Sequence, residues 1–291
     1  MARILITGTS KGIGYDAALH LARNGHQVIA TMRNPNNSDL GDAVARENLS
    51  VDIHAMDVDD ADSVTRVFSQ AGPLDVLVNN AGILSYNAVE DEDLATFAAI
   101  MNTNFMGVVR CCKAVIPAMR EAGRGKIINI SSVAGRIAAS PSAAYASSKH
   151  ALEAFSECLA AEMHTFGVDV FLVQPGIIST PMATTELPQP RVDSLYPQGR
   201  RMMALFAFAG QGEAPPVLVS EKLRELIDVG SDRFRHPIGP DSLVFLGYRT
   251  NTGDERFIST WGHPDDAVFA DEVRKDMMMD LAPFIKRPDN D

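Results

Sequence analysis

The amino-acid sequence predicts a single-domain α/β fold, a doubly wound parallel β-sheet with helices on both faces. Apolar runs of strand length alternate along the chain with amphipathic stretches of helix length, which is typical of repeated β-α units. A glycine-rich turn joins the first run to the first amphipathic stretch, and polar residues follow the ends of later runs. The length of 291 residues suits one large domain. Because such sheets bind ligands at the carboxyl ends of their strands, we expect the functional site there.

The first predicted strand, residues 3–7, leads into a glycine turn, and an amphipathic helix follows to about Asn24. Glycine lets the backbone approach a pyrophosphate, and a helix N-terminus offers unpaired N–H groups and the positive end of its dipole. The spacing differs from the G-x-G-x-x-G fingerprint, so an ordinary tight turn is the alternative interpretation. The position between strand and helix favours a Rossmann-type dinucleotide site that uses the turn residues Gly8, Ser10, Lys11, Gly12, Ile13 and Gly14.

The second predicted strand, residues 27–32, bears on which dinucleotide binds. An NAD site usually has Asp or Glu near the end of this strand, where it bonds the ribose 2′-hydroxyl. Here no acid lies between His26 and Arg33, and Lys11 lies inside the glycine turn. The two cations favour the extra phosphate of NADP(H) over NAD(H), unless both are solvated surface charges.

The third and fourth predicted strands end in further candidate cofactor contacts. The third, residues 49–56, precedes Asp57 and Val58, and Asp57 could either bond the adenine amino group or cap the next helix. The fourth, residues 74–78, is followed by Asn79, which could bond a neighbouring strand end. After it come three residues at which the backbone could approach the cofactor: Asn80, Ala81 and Gly82.

A long helical pattern from Asp93 to about Met119 contains Asn104. Asparagine is mildly unfavourable inside a helix and needs a reason to be there. We expect Asn104 to break the local hydrogen bonding and to hold a water.

The residues with the strongest chemical pattern come next. Ser132 follows a predicted buried strand, residues 126–131, and Tyr145 and Lys149 lie one turn apart on a helix that continues to about Thr165. Because a cation favours the phenolate, we expect Lys149 to lower the pKa of Tyr145 from its usual value of about 10 toward neutrality. Tyr145 could then exchange a proton with a substrate oxygen that Ser132 bonds. A solvated helix face is the alternative interpretation of the Tyr-Lys pair alone.

With these residues in order, residues 2–181 resemble the short-chain dehydrogenase/reductase family. Its T-G-x-x-x-G-x-G turn matches Thr7 to Gly14, its N-N-A-G segment begins at Asn79, and its catalytic residues match Asn104, Ser132, Tyr145 and Lys149. Its P-G segment follows a sixth strand, residues 168–174, and adds expected cofactor contacts at Pro175, Gly176, Ile178 and Thr180.

The resemblance implies a mechanism for a small-molecule carbonyl or alcohol substrate. Hydride passes between NADP(H) and carbon while Tyr145 acts as general acid or base on the oxygen. Ser132 orients the carbonyl, Lys149 also holds the nicotinamide ribose, and Asn104 anchors a water linked to Lys149. Residues 235–241 resemble the seventh-strand region of the retinol and hydroxysteroid dehydrogenase branch.

The last third of the chain carries weaker signals. Residues 182–219 hold Pro-containing breaks and many apolar side chains, which indicates a lid over a substrate with a hydrophobic body. Alternatively, residues 202–208 form an amphipathic helix packed on the core. The family's V-D-G-G-like ending is absent, so residues 240–291 form an extension whose charged tail, residues 286–291, is expected to fray. We expect a homodimer, formed through the helices that carry Asn104 and Tyr145, or a homotetramer.

Composition restricts the partners. The formal net charge of −11 argues against nucleic acid, whose phosphates need a basic surface. The first predicted strand begins at residue 3, so we expect no signal peptide, and no apolar run is long enough to cross a bilayer. Cys111, Cys112 and Cys158 lack metal-ligand spacing and are expected to be buried free thiols. We therefore predict a cytoplasmic protein with no metal, no membrane span and no nucleic-acid partner.

Competing functions have less support. Ser132 alone could indicate a serine hydrolase, but no G-x-S-x-G elbow surrounds it and no oriented His-acid pair can be argued. A cofactor-binding regulator without turnover is compatible with the fold, but it would not need the complete catalytic set. An NAD-dependent alcohol dehydrogenase is the alternative within the oxidoreductases.

Overall fold

The computed structural model describes residues 1–286 and contains one parallel sheet. Its seven strands within that range are β1 (Arg3–Thr7), β2 (Gln27–Met32), β3 (Val51–Ala55), β4 (Val76–Asn79), β5 (Gly125–Ile130), β6 (Val168–Pro175) and β7 (Arg235–Ile238). They lie in the order β3-β2-β1-β4-β5-β6-β7. The order reverses direction between β1 and β4, and ligands of such sheets bind in the crevice outside the strand ends at this point.

Helices cover both faces of the sheet and its carboxyl end. Within the described residues they are α1 (Gly12–Arg23), α2 (Leu40–Glu47), α3 (Ala61–Ala71), α4 (Leu94–Met101), α5 (Gly107–Ala122), α6 (Ala143–His164), α7 (Gln198–Ala209), α8 (Val217–Asp228), α9 (Ser242–Asn251), α10 (Asp254–Trp261) and α11 (Asp266–Met277). In the part of the chain that the structure describes, none of them is both long and apolar enough to cross a membrane.

The alternation of side chains along the strands produces two helix layers. In β1, Ile4 and Ile6 point to one face and Leu5 to the other, because successive strand residues face opposite ways. The first face packs on α1, α2 and α8, and the second packs on α3, α5 and α6. The predicted α/β fold of a single domain is therefore confirmed.

A third apolar cluster lies beyond the carboxyl ends of the strands. It joins α7 to α9, α10 and α11, and Trp261 packs against Phe269 with ring centroids 5.4 Å apart. On α7, Arg201 Nε donates to Asp266 Oδ1 on α11 at 2.7 Å. The C-terminal extension up to residue 286 is therefore folded onto the end of the domain, and the predicted frayed tail lies outside the described residues apart from Lys286.

Three details differ from the sequence predictions. Helix α2 was not anticipated, and the long helix predicted from Asp93 is divided by a π-helical turn, Asn102–Met106, between α4 and α5. Cys111 and Cys112 are buried, but the prediction for Cys158 is wrong because its side chain is exposed. Helix α6 directs Leu159 to the sheet, and the adjacent Cys158 is rotated about 100° away from it.

Candidate active site

A cleft of about 460 Å³ opens at the carboxyl ends of the strands. Its lining brings together residues from most of the predicted motifs: Gly8, Ser10, Lys11, Gly12, Ile13, Arg33, Asp57, Val58, Asn80, Ala81, Gly82, Ser132, Tyr145, Lys149, Pro175, Gly176, Ile178 and Thr180. Two predicted site residues, Gly14 and Asn104, are not part of the lining and lie behind it.

The glycine turn leaves an open cradle at the start of α1. Gly8 and Gly12 have φ values of 72° and 63°, which favour glycine, and a Cβ on Gly8 would lie 2.7 Å from Ala81 Cα. Within the described chain, Lys11 at the N-cap makes no side-chain bond to the first turn of α1. The N–H groups of that turn can therefore receive an anion, and the cradle suits a diphosphate.

Behind this cradle, Gly14 and Asn80 fix the turn against β4. A Cβ on Gly14 would overlap the Gly8 carbonyl oxygen and the Asn80 amide. The Asn80 side chain donates to the Thr7 and Gly8 carbonyls at 2.9 and 3.0 Å. Gly14 therefore permits close packing of α1 on the turn.

The two cations expected to favour NADP(H), Arg33 and Lys11, differ in whether they have an ionic partner. Arg33 is exposed at the cleft and makes no hydrogen bond or ion pair with any residue in the described range. Lys11 forms an ion pair with Glu186, which lies after β6 and also lines the cleft. Arg33 is thus available to an incoming phosphate, whereas the Lys11 charge is already balanced by a carboxylate.

Two alternatives left open by the sequence are resolved. Asp57 accepts from the Asp59 amide at 3.0 Å, while Asp60 caps α3 by accepting from the Asp62 amide at 2.9 Å, so the capping role of Asp57 is wrong. Asn79 donates to Asn129 Oδ1 at 2.8 Å, which confirms that it bonds a neighbouring strand end.

Ser132, Tyr145 and Lys149 meet on one wall of the cleft. Ser132 lies in the turn after β5, where its Oγ accepts from the Ala134 amide at 3.1 Å and is hydrogen-bonded to the Tyr145 hydroxyl. Lys149 lies one turn further along α6, with Nζ 5.7 Å from the centroid of the Tyr145 ring. Its Nζ donates to the Ile130 carbonyl at 2.8 Å. These three side chains are therefore not a solvated helix face.

The predicted fall in the pKa of Tyr145 is wrong for this structure. Burial raises the pKa of Tyr145, and the hydrogen bond with Ser132 opposes that rise. Burial also lowers the pKa of Lys149 to about 8, against the opposing effect of the Glu153 carboxylate. The sequence argument considered only the attraction between the pair, whereas desolvation is the largest effect on both groups.

Glu153 is a buried carboxylate that sequence analysis missed. It is 4% exposed, and its Oε1 accepts from Ser131 Oγ at 2.7 Å and from Gln174 Nε2 at 3.0 Å. Its Oε2 accepts from Arg235 Nε on β7 at 2.8 Å. The spacing of four residues from Lys149 on one helix was the signal that could have identified it.

Asn104 connects the loop after β4 to α6. Its Oδ1 accepts from the Ile83 amide at 2.8 Å, and its Nδ2 donates to the Ile83 carbonyl at 2.8 Å and to Ser148 Oγ at 3.0 Å. Its place in the π-helical turn confirms the expected break in helical bonding. Both amide hydrogens already have protein acceptors, so they cannot donate to the predicted water.

The end of the cleft beyond Tyr145 is mainly apolar. It is lined by side chains from the loop after β4, the turn after β5, α7 and α9: Leu84, Tyr86, Val133, Ile137, Met202, Leu205, Phe206 and Phe245. Helix α7 also packs into the third cluster, so the alternative of a packed helix is confirmed while the helix still contributes to the cleft. Leu195 and Tyr196 are exposed and lie outside the lining.

Comparison with known proteins identifies the family. The sequence model of the short chain dehydrogenase family matches residues 2–191, about two thirds of the chain. This chain belongs to the short-chain dehydrogenase/reductase family. The family binds a nicotinamide cofactor, and its members are oxidoreductases that act on CH–OH and C=O groups. The resemblance inferred from the motifs is thus confirmed.

Individual relatives agree with this assignment. The chain is 35% identical over 258 residues to the uncharacterized oxidoreductase YusZ of Bacillus subtilis, covering 84% of this chain and 92% of that protein. It is 44% identical to a 3-ketodihydrosphingosine reductase of Bacteroides thetaiotaomicron, covering 61% of this chain and 64% of the relative. It is 39% identical to human retinol dehydrogenase 8, covering 61% of this chain and 59% of that protein. This match supports the predicted resemblance to the retinol dehydrogenase branch.

The fold also matches a solved structure. A short-chain dehydrogenase from Streptomyces avermitilis superposes with a TM-score of 0.76 at 28% identity. The match covers 90% of this chain and 96% of that one.

Proposed function

We propose that this protein is an NADP(H)-dependent oxidoreductase that interconverts a ketone or aldehyde and an alcohol, on a substrate with a hydrophobic body. The observation that carries the proposal is the contact of the Tyr145 hydroxyl with Ser132 Oγ, one helical turn before Lys149 and beside the glycine cradle. Two relatives have names that specify this chemistry, a keto reductase and a retinol dehydrogenase.

The residues for the cofactor follow the cleft from one end to the other. The cradle at Gly8 and Gly12 would hold the diphosphate, Arg33 the 2′-phosphate, and Asp57 with Val58 the adenine. Further contacts would come from residues that line the cleft or lie directly behind it: Ser10, Lys11, Ile13, Gly14, Asn80, Ala81, Gly82, Tyr145, Lys149, Pro175, Gly176, Ile178 and Thr180. When bound, the nicotinamide supplies or accepts the hydride.

Tyr145 moves the proton in this proposal. During reduction its hydroxyl donates to the substrate oxygen, and during oxidation the phenolate takes the proton back. The raised pKa of Tyr145 keeps the hydroxyl protonated, which suits the reductive direction. Ser132 Oγ orients the same oxygen, and a charged Lys149 stabilises the phenolate that forms. Asn104 supports this wall by tying α6 to the loop after β4.

The apolar end of the cleft would take the body of the substrate. We propose that residues 182–219 act as a lid there, since Met182, Met202 and Leu205 of this segment line the cleft. A homodimer through α6 and the helical segment that carries Asn104, or a homotetramer, and a cytoplasmic location remain predictions.

Tyr145→Phe tests the proposal because it removes only the hydroxyl. We expect the rate of NADPH oxidation with a ketone panel to fall by at least about 100-fold, while NADPH affinity stays within about twofold. Tyr248→Phe, which removes a buried hydroxyl of α9 outside the cleft lining, is the matched control and should keep full activity. Ketone reduction by Tyr145→Phe at a near wild-type rate contradicts the assignment. If the wild type binds NADPH but oxidises none with any ketone, the regulator alternative is favoured.

A further inference from the structure

Tyr86 brings a second phenol into the apolar end of the cleft. It lies in the loop after β4, is 5% exposed and lines the cleft. Its ring packs on Phe206 of α7 with centroids 5.3 Å apart and the planes tilted by 57°. Its hydroxyl has no hydrogen-bond partner among residues 1–286, although buried phenols usually find one. A hydroxyl without a partner at a cleft surface is a candidate contact for a ligand.

The backbone on both sides of Tyr86 is fixed. The Glu92 carboxylate accepts from Ser85 Oγ and, at 3.4 Å, from Asn87 Nδ2, and these two residues flank Tyr86 directly. The Asn87 Oδ1 accepts from the Arg191 amide at 3.1 Å, which ties the loop to the lid segment. Side-chain packing and backbone anchoring therefore hold the phenol in place before any ligand arrives, which reduces the entropy lost on binding.

The hydroxyl of Tyr86 is a hydrogen-bond donor in the same cleft as Tyr145. Burial, together with the proximity of Tyr145, raises the pKa of Tyr86 far above its usual value, so its hydroxyl remains protonated. Tyr86 belongs to the third apolar cluster, of which Ile137, Met202 and Phe245 also line the cleft. In such surroundings a hydroxyl without a hydrogen-bond acceptor costs free energy. The site therefore favours binding of a substrate that supplies an acceptor over one that does not.

We propose that Tyr86 determines substrate specificity by donating a hydrogen bond to a second oxygen of the substrate, adjacent to the carbonyl that Tyr145 protonates. This inference rests on the proposed function and narrows it to apolar ketones or alcohols that carry a neighbouring hydroxyl or carbonyl oxygen. The apolar body extends toward α7 and α9, and the adjacent oxygen faces the loop after β4.

A matched pair of substrates tests the inference on wild type and Tyr86→Phe. The pair is a straight-chain methyl ketone and its α-hydroxy derivative of equal length, assayed with NADPH. We expect Tyr86→Phe to lower kcat/KM for the α-hydroxy ketone by about tenfold and to leave the plain ketone within about twofold. Phenylalanine keeps the contact with Phe206, and Tyr248→Phe controls for loss of a buried hydroxyl outside the cleft lining.

Calorimetric binding of the same two ketones to protein saturated with NADP+, which cannot reduce them, separates this inference from the proposed reaction. If the wild type binds both ketones and reduces neither, the proposed function fails. The inference is still supported in that case if Tyr86→Phe loses affinity for the α-hydroxy ketone alone. Equal losses for both ketones, no loss for either, or failure of the wild type to bind the α-hydroxy ketone overturns it.

Discussion

Arg235 Nε on β7 lies 2.8 Å from Glu153 Oε2, and Glu153 follows Lys149 by one turn of α6. This ion pair connects the edge strand of the sheet to the helix that carries the candidate catalytic groups. The Glu153 carboxylate raises the pKa of Lys149, against the larger lowering by burial that brings it to about 8. Glu153 is therefore placed to control how much of Lys149 is charged near neutral pH.

Glu153→Gln should move the pH dependence of ketone reduction. Above a pH of about 8 Lys149 loses its proton, so kcat should fall on the alkaline side. The Glu153 carboxylate raises the pKa of Lys149, so its removal should lower that pKa further. The alkaline limb of the pH profile of kcat should therefore shift to lower pH. Glu157→Gln is the control, because Glu157 also bonds Arg235, at 3.0 Å, but is 66% exposed. An alkaline limb that stays in place, or moves to higher pH, contradicts the role of Glu153.

Arg33→Asp should shift cofactor preference from NADPH toward NADH. The guanidinium is available at the cleft, and a carboxylate there repels a 2′-phosphate but can accept a bond from a 2′-hydroxyl. We expect the ratio of kcat/KM for NADPH to that for NADH to fall at least about tenfold. Arg46→Asp on α2 makes the same charge change outside the cleft and should leave the ratio unaltered. An unchanged ratio in Arg33→Asp means that Arg33 does not contact the cofactor phosphate.

Gly8→Ala should lower the stability of the fold for two reasons, an unfavourable backbone conformation and a steric clash. Gly8 and Gly25 have φ values of 72° and 85°, so alanine at either position costs about 1–2 kcal/mol of unfolding free energy. Only at Gly8 does the new Cβ also meet backbone, 2.7 Å from Ala81 Cα, whereas nothing lies within 4 Å at Gly25. Urea denaturation should show a larger loss for Gly8→Ala, and NADPH fluorescence titration should show weakened binding for that variant alone. Equal behaviour of the two variants would mean that the close approach at Gly8 is unimportant.

Asp266→Ala should destabilise the C-terminal helices. The side chain of Arg201 is 1% exposed and its Nε bonds Asp266 Oδ1, so losing the carboxylate leaves a buried charge without its ionic partner. Such losses cost about 3–5 kcal/mol. Asp271→Ala breaks exposed pairs with Arg274 and Lys275 and should cost less than about 1 kcal/mol. Thermal unfolding that is equally affected by both substitutions argues against Arg201 as the link between α7 and α11.

Much of the fold was predictable because short-range patterns determine it. The bounds of β1 agree with the prediction, since Ile4, Leu5 and Ile6 can be buried only in an extended segment covered on both faces. The contact of Tyr145 with Ser132 followed from one residue at a strand end and another at a helix start. Each of these features needs only local spacing and the general rules of parallel sheets.

The remaining features depend on burial and on contacts between distant segments. The predicted direction of the pKa shift of Tyr145 is wrong because both members of the Tyr-Lys pair are desolvated. Spacing along a helix does not show how deeply a side chain is buried. The partners of Asn104 lie 21 and 44 positions away along the chain. No periodic pattern distinguishes Tyr86 from other loop residues, and its relation to Phe206 arises only when α7 folds across the cleft.

We expect the ion pair between Lys11 and Glu186 to affect the order in which ligands bind. Lys11 belongs to the glycine turn, whereas Glu186 belongs to the segment after β6 that we propose as a lid, so this contact joins two walls of the cleft. An arriving nucleotide phosphate competes with the Glu186 carboxylate for the same ammonium group. We therefore expect ordered binding. The dinucleotide binds first and displaces Glu186 from Lys11, and the carbonyl compound binds afterward.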